Sequence, residues 1–120
     1  MDSIYLEFEK LCKNGSYNEI EYYIINNDID INYEENFYIN LIVKRGNINL
    51  LKLIKKYNGN LHDEDETIIH LLGLYGFTDC LEYVINDCSN DNWKTIINTN
   101  AYNNCINTKK IINNLLFLKY

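Results

Sequence analysis

Two histidines, four cysteines and a string of acids are the residues of this 120-residue chain whose types could do chemistry. His62 stands directly before Asp63, Glu64, Asp65 and Glu66, a carboxylate-rich string of the kind that holds hard cations through oxygen. A calcium loop also needs a glycine at its sixth position and a glutamate at its twelfth, and this string has neither. Cys12, Cys80, Cys88 and Cys105 form no CxxC pair. If one helix carries Cys80 and Cys88, they lie about 12 Å apart along its axis, too far for a single ion. His62 has no nucleophile near it in sequence, and nothing pairs either histidine with a cysteine as base and nucleophile. The five glycines are spread singly, so no phosphate cradle exists. The expectation is a chain with no catalytic residues, no metal and no cofactor, whose cysteines are reduced, buried thiols of a cytosolic protein.

The elements that position these residues are helices. Ile48, Leu50, Leu51, Leu53, Ile54 and Tyr57 recur at three and four, as do Leu81, Val84, Ile85 and Cys88, and Ile20, Tyr23 and Ile24. No segment alternates cleanly enough for a strand. Breaks fall at Asn14-Gly15, Arg45-Gly46, Asn58-Gly59 and Tyr75-Gly76. Gly15, Gly46 and Gly76 are 31 and 30 residues apart, a spacing that predicts internal repeats. Five residues after each glycine come Ile20, Leu51 and Leu81, and eight after come Tyr23, Ile54 and Val84. Four before lie Leu11, Ile42 and Leu72, and seven before lie Phe8, Ile39 and Ile69. In a fourth, weaker copy Asn107 takes the glycine position, with Ile112 and Leu115 in the apolar slots. Asn tolerates the left-handed conformation a glycine turn requires. Each unit reads as helix, glycine turn, longer helix and polar loop. Such a pair cannot bury its apolar face alone, and stacking solves that problem.

Thr67-Ile68-Ile69-His70-Leu71-Leu72-Gly73 resembles the T-P-L-H-x-A opening of an ankyrin repeat, with Ile68 where proline is usual. Gly76 stands at the inter-helix turn, and Leu81-Glu82-Tyr83-Val84-Ile85 resembles the family's second helix. Asp30-Ile31-Asn32 and Asn60-Leu61-His62 are similar to the D-V-N that closes a repeat. The loops are two or three residues shorter than the family's period of 33, so short projections are expected, and Thr67 is expected to cap its helix in place of the missing proline. The resemblance implies an all-α, ankyrin-like helix-turn-helix solenoid of about four repeats, one domain over residues 1–120 with units near 4–32, 33–62, 63–92 and 93–120. It also implies that His70 bridges loops of adjacent repeats and is not catalytic.

Seventeen acids against eleven basic residues give a formal charge of −6, which argues against nucleic acid or anionic membrane as the main ligand. No apolar run approaches a bilayer span, and the first residues carry no secretory pattern, so the sequon Asn14-Gly15-Ser16 is expected to be silent. Asn, Ile, Tyr and Lys make up 60 of the 120 residues. They have AT-rich codons, and together with the repeats they point to a large DNA virus and to host cytoplasm. Eight of the 17 acids fall at Asp28, Asp30, Glu34 and Glu35 and at Asp63 to Glu66. Successive loops of a solenoid share an edge, so these acids are expected to line up there with Tyr33, Phe37, Tyr38 and Trp93. Aromatics among charges mark binding surfaces.

The expected function is a non-enzymatic protein–protein interaction module for a partner with a basic patch. By analogy with the family, the contacts are Tyr33, Glu34, Asn36, Lys44, Arg45, Asp63, Glu64, Glu66, Leu74, Tyr75, Trp93 and Lys94. The alternative is self-association through the apolar segment Ile111 to Tyr120, since a terminal repeat needs a polar outer face.

Overall fold

A computed structural model of the chain describes residues 3–62 and 67–87. These residues form six α-helices and no strand: α1 (Ser3–Asn14), α2 (Tyr17–Asn27), α3 (Phe37–Val43), α4 (Ile48–Lys56), α5 (Thr67–Tyr75) and α6 (Thr78–Asn86). None of them is long and apolar enough to cross a membrane. The chain divides into two compact units, residues 1–60 with α1 to α4 and residues 61–120 with α5 and α6.

The helices start where side chains can satisfy their first amides. Ser16 Oγ accepts from Glu19 N at 3.1 Å, and Ser16 N donates to Glu19 Oε1 at 3.0 Å. This capping box answers two of the four amides that an α-helix leaves unpaired at its start. Asn47 Oδ1 caps α4 by accepting from Asn49 N and Leu50 N. Thr67 is the first described residue of α5, and the residues just before it, on which its expected capping depends, lie outside the described residues. The α2 helix stops at Asp28, which turns left-handed at φ 51° and donates its N–H to Ile24 O.

The period found in the sequence is also the period of the helices. Second helices begin at 17, 48 and 78, steps of 31 and 30 like those of the glycines. Phe8, Ile39 and Ile69 are buried, as are Ile20, Leu51 and Leu81. Leu11 and Tyr23 of the first pair stay half-buried where Ile42, Leu72, Ile54 and Val84 are enclosed. Tyr23 has a polar end to satisfy, and its hydroxyl donates to Ile4 O at 2.8 Å. Gly46 and Gly76 turn with φ 66° and 75°, the left-handed conformation glycine adopts without a steric penalty. Gly15 serves differently. It is not left-handed, its N donates to Leu11 O at 2.7 Å, and a Cβ there would sit 2.8 Å from that same oxygen.

In the first unit α1 packs on α2 and on α3, α3 packs on α4, and α2 packs on α4. First helix thus lies on first helix and second on second, which is how two amphipathic pairs close one core. In the second unit α5 packs on α6. Side chains reinforce the stacking of the first two pairs. Glu21 Oε2 on α2 accepts from Lys56 Nζ at 2.7 Å and from Tyr57 Oη at 2.8 Å at the end of α4. Asn32 reaches the segment after α4, where its Nδ2 donates to Asn58 O and its Oδ1 accepts from Asn60 N.

Candidate interaction edge

The segment between α2 and α3 is built by two successive turns. Tyr33 N donates to Asp30 O at 3.0 Å, and Phe37 N donates to Glu34 O at 3.1 Å. Asp30 Oδ1 folds back to accept from Asn32 N, the local bond that makes Asp a turn residue. Glu34 and Glu35, the first two residues of the second turn, are both left-handed, at φ 57° and 56°, a conformation that costs a residue with a Cβ about 1 kcal/mol or more. Both carboxylate residues are exposed.

An aromatic cluster lies beneath them. Tyr33 is 42% exposed and stacks on Tyr5 with ring centroids 4.2 Å apart and planes at 26°. Tyr5 is itself fixed, because its hydroxyl accepts from Asp30 N at 3.1 Å and its ring meets Phe8 edge-on. Phe37 is also 42% exposed and sets its ring at 84° to that of Tyr38. Tyr38 is 1% exposed, which corrects its expected place on the edge. It is the second residue of α3, one before the inward Ile39, and packs on Tyr5 and Phe8. Burial raises the Tyr38 phenol above its ordinary pKa, and the nearby Glu34 charge raises it further.

Of the residues expected to bind, the structure brings Tyr33, Glu34 and Asn36 into this one segment, with Asn36 preceding α3. Lys44 and Arg45 follow α3 ahead of Gly46. Lys44 is exposed, whereas Arg45 is half-buried and its Nη1 donates to Cys12 O at 3.3 Å, closing the end of α1. Leu74 and Tyr75 end α5, 73% and 50% exposed. Asp63, Glu64, Glu66, Trp93 and Lys94 lie outside the described residues, as do Cys88, Cys105, the span 93–120 expected to form a fourth repeat, and the apolar segment Ile111 to Tyr120. Tyr5 is the member of the edge that the sequence reading missed. Its signal was there, three residues before Phe8 on the same helix.

Burial pushes the Cys12 thiol up to about 12 and raises that of Cys80, so neither is a ready nucleophile. His62 Nε2 lies 3.5 Å from Asp87 Oδ2, linking the segment before α5 to the end of α6. His70 is half-buried in α5. Among the described residues no three His, Cys, Asp or Glu side chains gather as metal ligands would.

No protein-family model matches the chain, and neither a curated protein nor a solved structure does. Function is therefore read from the chain's own geometry.

Proposed function

We propose that the chain is a non-enzymatic protein-binding module, an ankyrin-like stack of about four helix pairs that works in the cytoplasm. Its α2–α3 segment forms a binding edge. The observation that carries this reading is the pairing of two large rings, Tyr33 and Phe37, each 42% exposed, with the exposed Glu34 and Glu35 on a segment held from below by Tyr5. Rigid aromatic anchors supply affinity at low entropic cost, and the acids speed encounter with a partner that has a basic patch.

The test is quantitative capture from a lysate of the cell type in which the chain works. The bait is the chain itself beside a variant with Glu34, Asp63, Glu64 and Glu66 changed to Lys. A protein enriched by the chain and lost by the variant supports the edge. Equal enrichment by both removes its electrostatic part, and enrichment of nothing but the chain removes the reading.

Self-association is the second reading, and α2 favours it. Leu50 and Leu53 of α4 are buried, yet the residues 31 positions earlier, Glu19 and Tyr22, are exposed. Tyr22 is 71% exposed and Ile25, three residues on along the helix, is 63% exposed. A light-scattering mass separates a dimer from a monomer directly.

A further inference from the structure

An exposed ring backed by a second ring, with two carboxylate residues next to it, selects among basic partners. We propose that Tyr33, Glu34 and Glu35 form a docking position for an arginine side chain presented by a basic segment of a partner protein. This inference rests on the protein-binding reading above.

The Tyr33 ring is positioned in advance. Tyr5 covers it at 4.2 Å, and Tyr5 is in turn held through its hydroxyl by Asp30 N and through its edge by Phe8. A ring that is already fixed loses little rotamer freedom when something stacks on it. The exposed part of such a ring attracts cations, and the planar guanidinium adds stacking that a compact ammonium cannot.

The carboxylates supply the second half of the fit. Glu34 and Glu35 are the two residues after Tyr33, and their consecutive left-handed backbone curls the chain tightly there. Among the described residues neither enters an ion pair, unlike Glu7, Glu9 and Glu21, which pair with Lys10, Lys13 and Lys56. A carboxylate accepts two parallel N–H donors from a guanidinium. The chain's formal charge of −6 draws a basic segment toward this edge and repels an acidic one.

The experiment is a fluorescence-anisotropy titration of the full chain against a labelled peptide in which arginines alternate with glycine and serine. Parallel titrations use the same peptide with lysine and with uncharged citrulline. The arginine peptide is expected to bind more tightly than the lysine peptide, and the citrulline peptide not to bind. Tyr33→Leu is expected to weaken arginine binding about fourfold, while Tyr33→Phe, which keeps the ring, restores it. Glu34→Gln with Glu35→Gln is expected to weaken it about fourfold and flatten its salt dependence. Circular dichroism and a melting curve on each variant show that the fold is kept. Equal binding of the arginine and citrulline peptides overturns the proposal, as does unchanged affinity in both the ring and the carboxylate variants. A chain that captures a partner from lysate while those variants alter neither capture nor peptide affinity keeps the protein-binding reading and loses the arginine position. A chain that captures nothing and leaves the peptide unbound loses both.

Discussion

Asn32 and Asn60 are joined across the stack: the backbone N–H of Asn60 donates to Asn32 Oδ1 at 2.8 Å, while Asn32 Nδ2 donates to Asn58 O at 3.0 Å. One amide side chain thus answers two backbone groups that follow α4. Thirty residues on, His62 Nε2 lies 3.5 Å from Asp87 Oδ2 just after α6, so two positions thirty residues apart each meet the end of a helix. Asn32→Ala removes both bonds and is expected to destabilise the fold by about 1–2 kcal/mol. Asn32→Asp keeps the acceptor and loses the donor, and is expected to cost less than Asn32→Ala. Urea unfolding of the three proteins checks the order, and an alanine variant as stable as the parent would show that the clip is ornamental.

Glu21 gives a pH dependence of definite sign. Its hydrogen bonds from Lys56 and then Tyr57 hold its carboxyl below the ordinary 4.5. The stabilisation is therefore present above pH 4.5 and is lost as pH falls through the lowered folded value. The partners respond at the other end. Lys56 is raised above 10.5 and Tyr57 above 10.0, chiefly by bonding to Glu21, so their contribution is present below those values and is lost as pH rises through the folded ones. Glu21→Gln is expected to flatten both limbs of a stability–pH curve measured by denaturant unfolding. Limbs as steep as the parent's would assign the dependence to other groups.

Cys12 is expected to resist thiol reagents. It is fully buried, and burial holds its thiol at about 12 despite the opposing charge of Arg45. Since the thiolate is the reactive form, almost none exists at pH 8. Alkylation followed by peptide mass mapping is expected to leave Cys12 unmodified in the native chain and to label it fully in denaturant. Labelling at equal rates in both states would mean that α1 does not stay packed on α2 and α3.

The helices were legible in the sequence because apolar residues at three and four have one cheap arrangement, and because Gly46 and Gly76 punctuate them at left-handed turns. Phe8, Ile39 and Ile69 were legible as core from the period alone. Tyr38 was not, since aromatic residues at a loop–helix junction read alike until the first turn of α3 sets Phe37 outward and Tyr38 inward. Nothing in a Glu-Glu pair announces two left-handed residues; they follow directly on the turn that Asp30 closes and open the turn that Glu34 closes. The support of Tyr33 by Tyr5 spans 28 residues, beyond the reach of any local pattern. Arg45 reads as surface charge and is occupied by the Cys12 carbonyl.

Two substitutions involving glycine are expected to shift stability in opposite directions. Gly59 follows α4, and its N donates to Ile54 O at 2.8 Å. A Cβ there would run into Ile54 Cγ2 and lie 2.9 Å from Ile54 O and 3.2 Å from Ile31 Cγ2. Ile31 and Ile54 are core residues at 1% and 0% exposure, so neither has room to give. Gly59→Ala is therefore expected to cost about 1–3 kcal/mol. Glu34 is the converse case, with a Cβ in a left-handed conformation and a side chain in solvent. Glu34→Gly relieves about 1–2 kcal/mol of backbone strain and gives back about 0.5–1 kcal/mol in unfolded-chain entropy. The net is a gain of about 0.5 kcal/mol, or a few degrees in melting temperature. Thermal melts of both variants beside the parent decide the matter. A neutral Gly59→Ala would show that α4 can end without the close approach to Ile54. A destabilised Glu34→Gly would show that the Glu34 side chain, and not only its backbone, holds the α2–α3 turn in place.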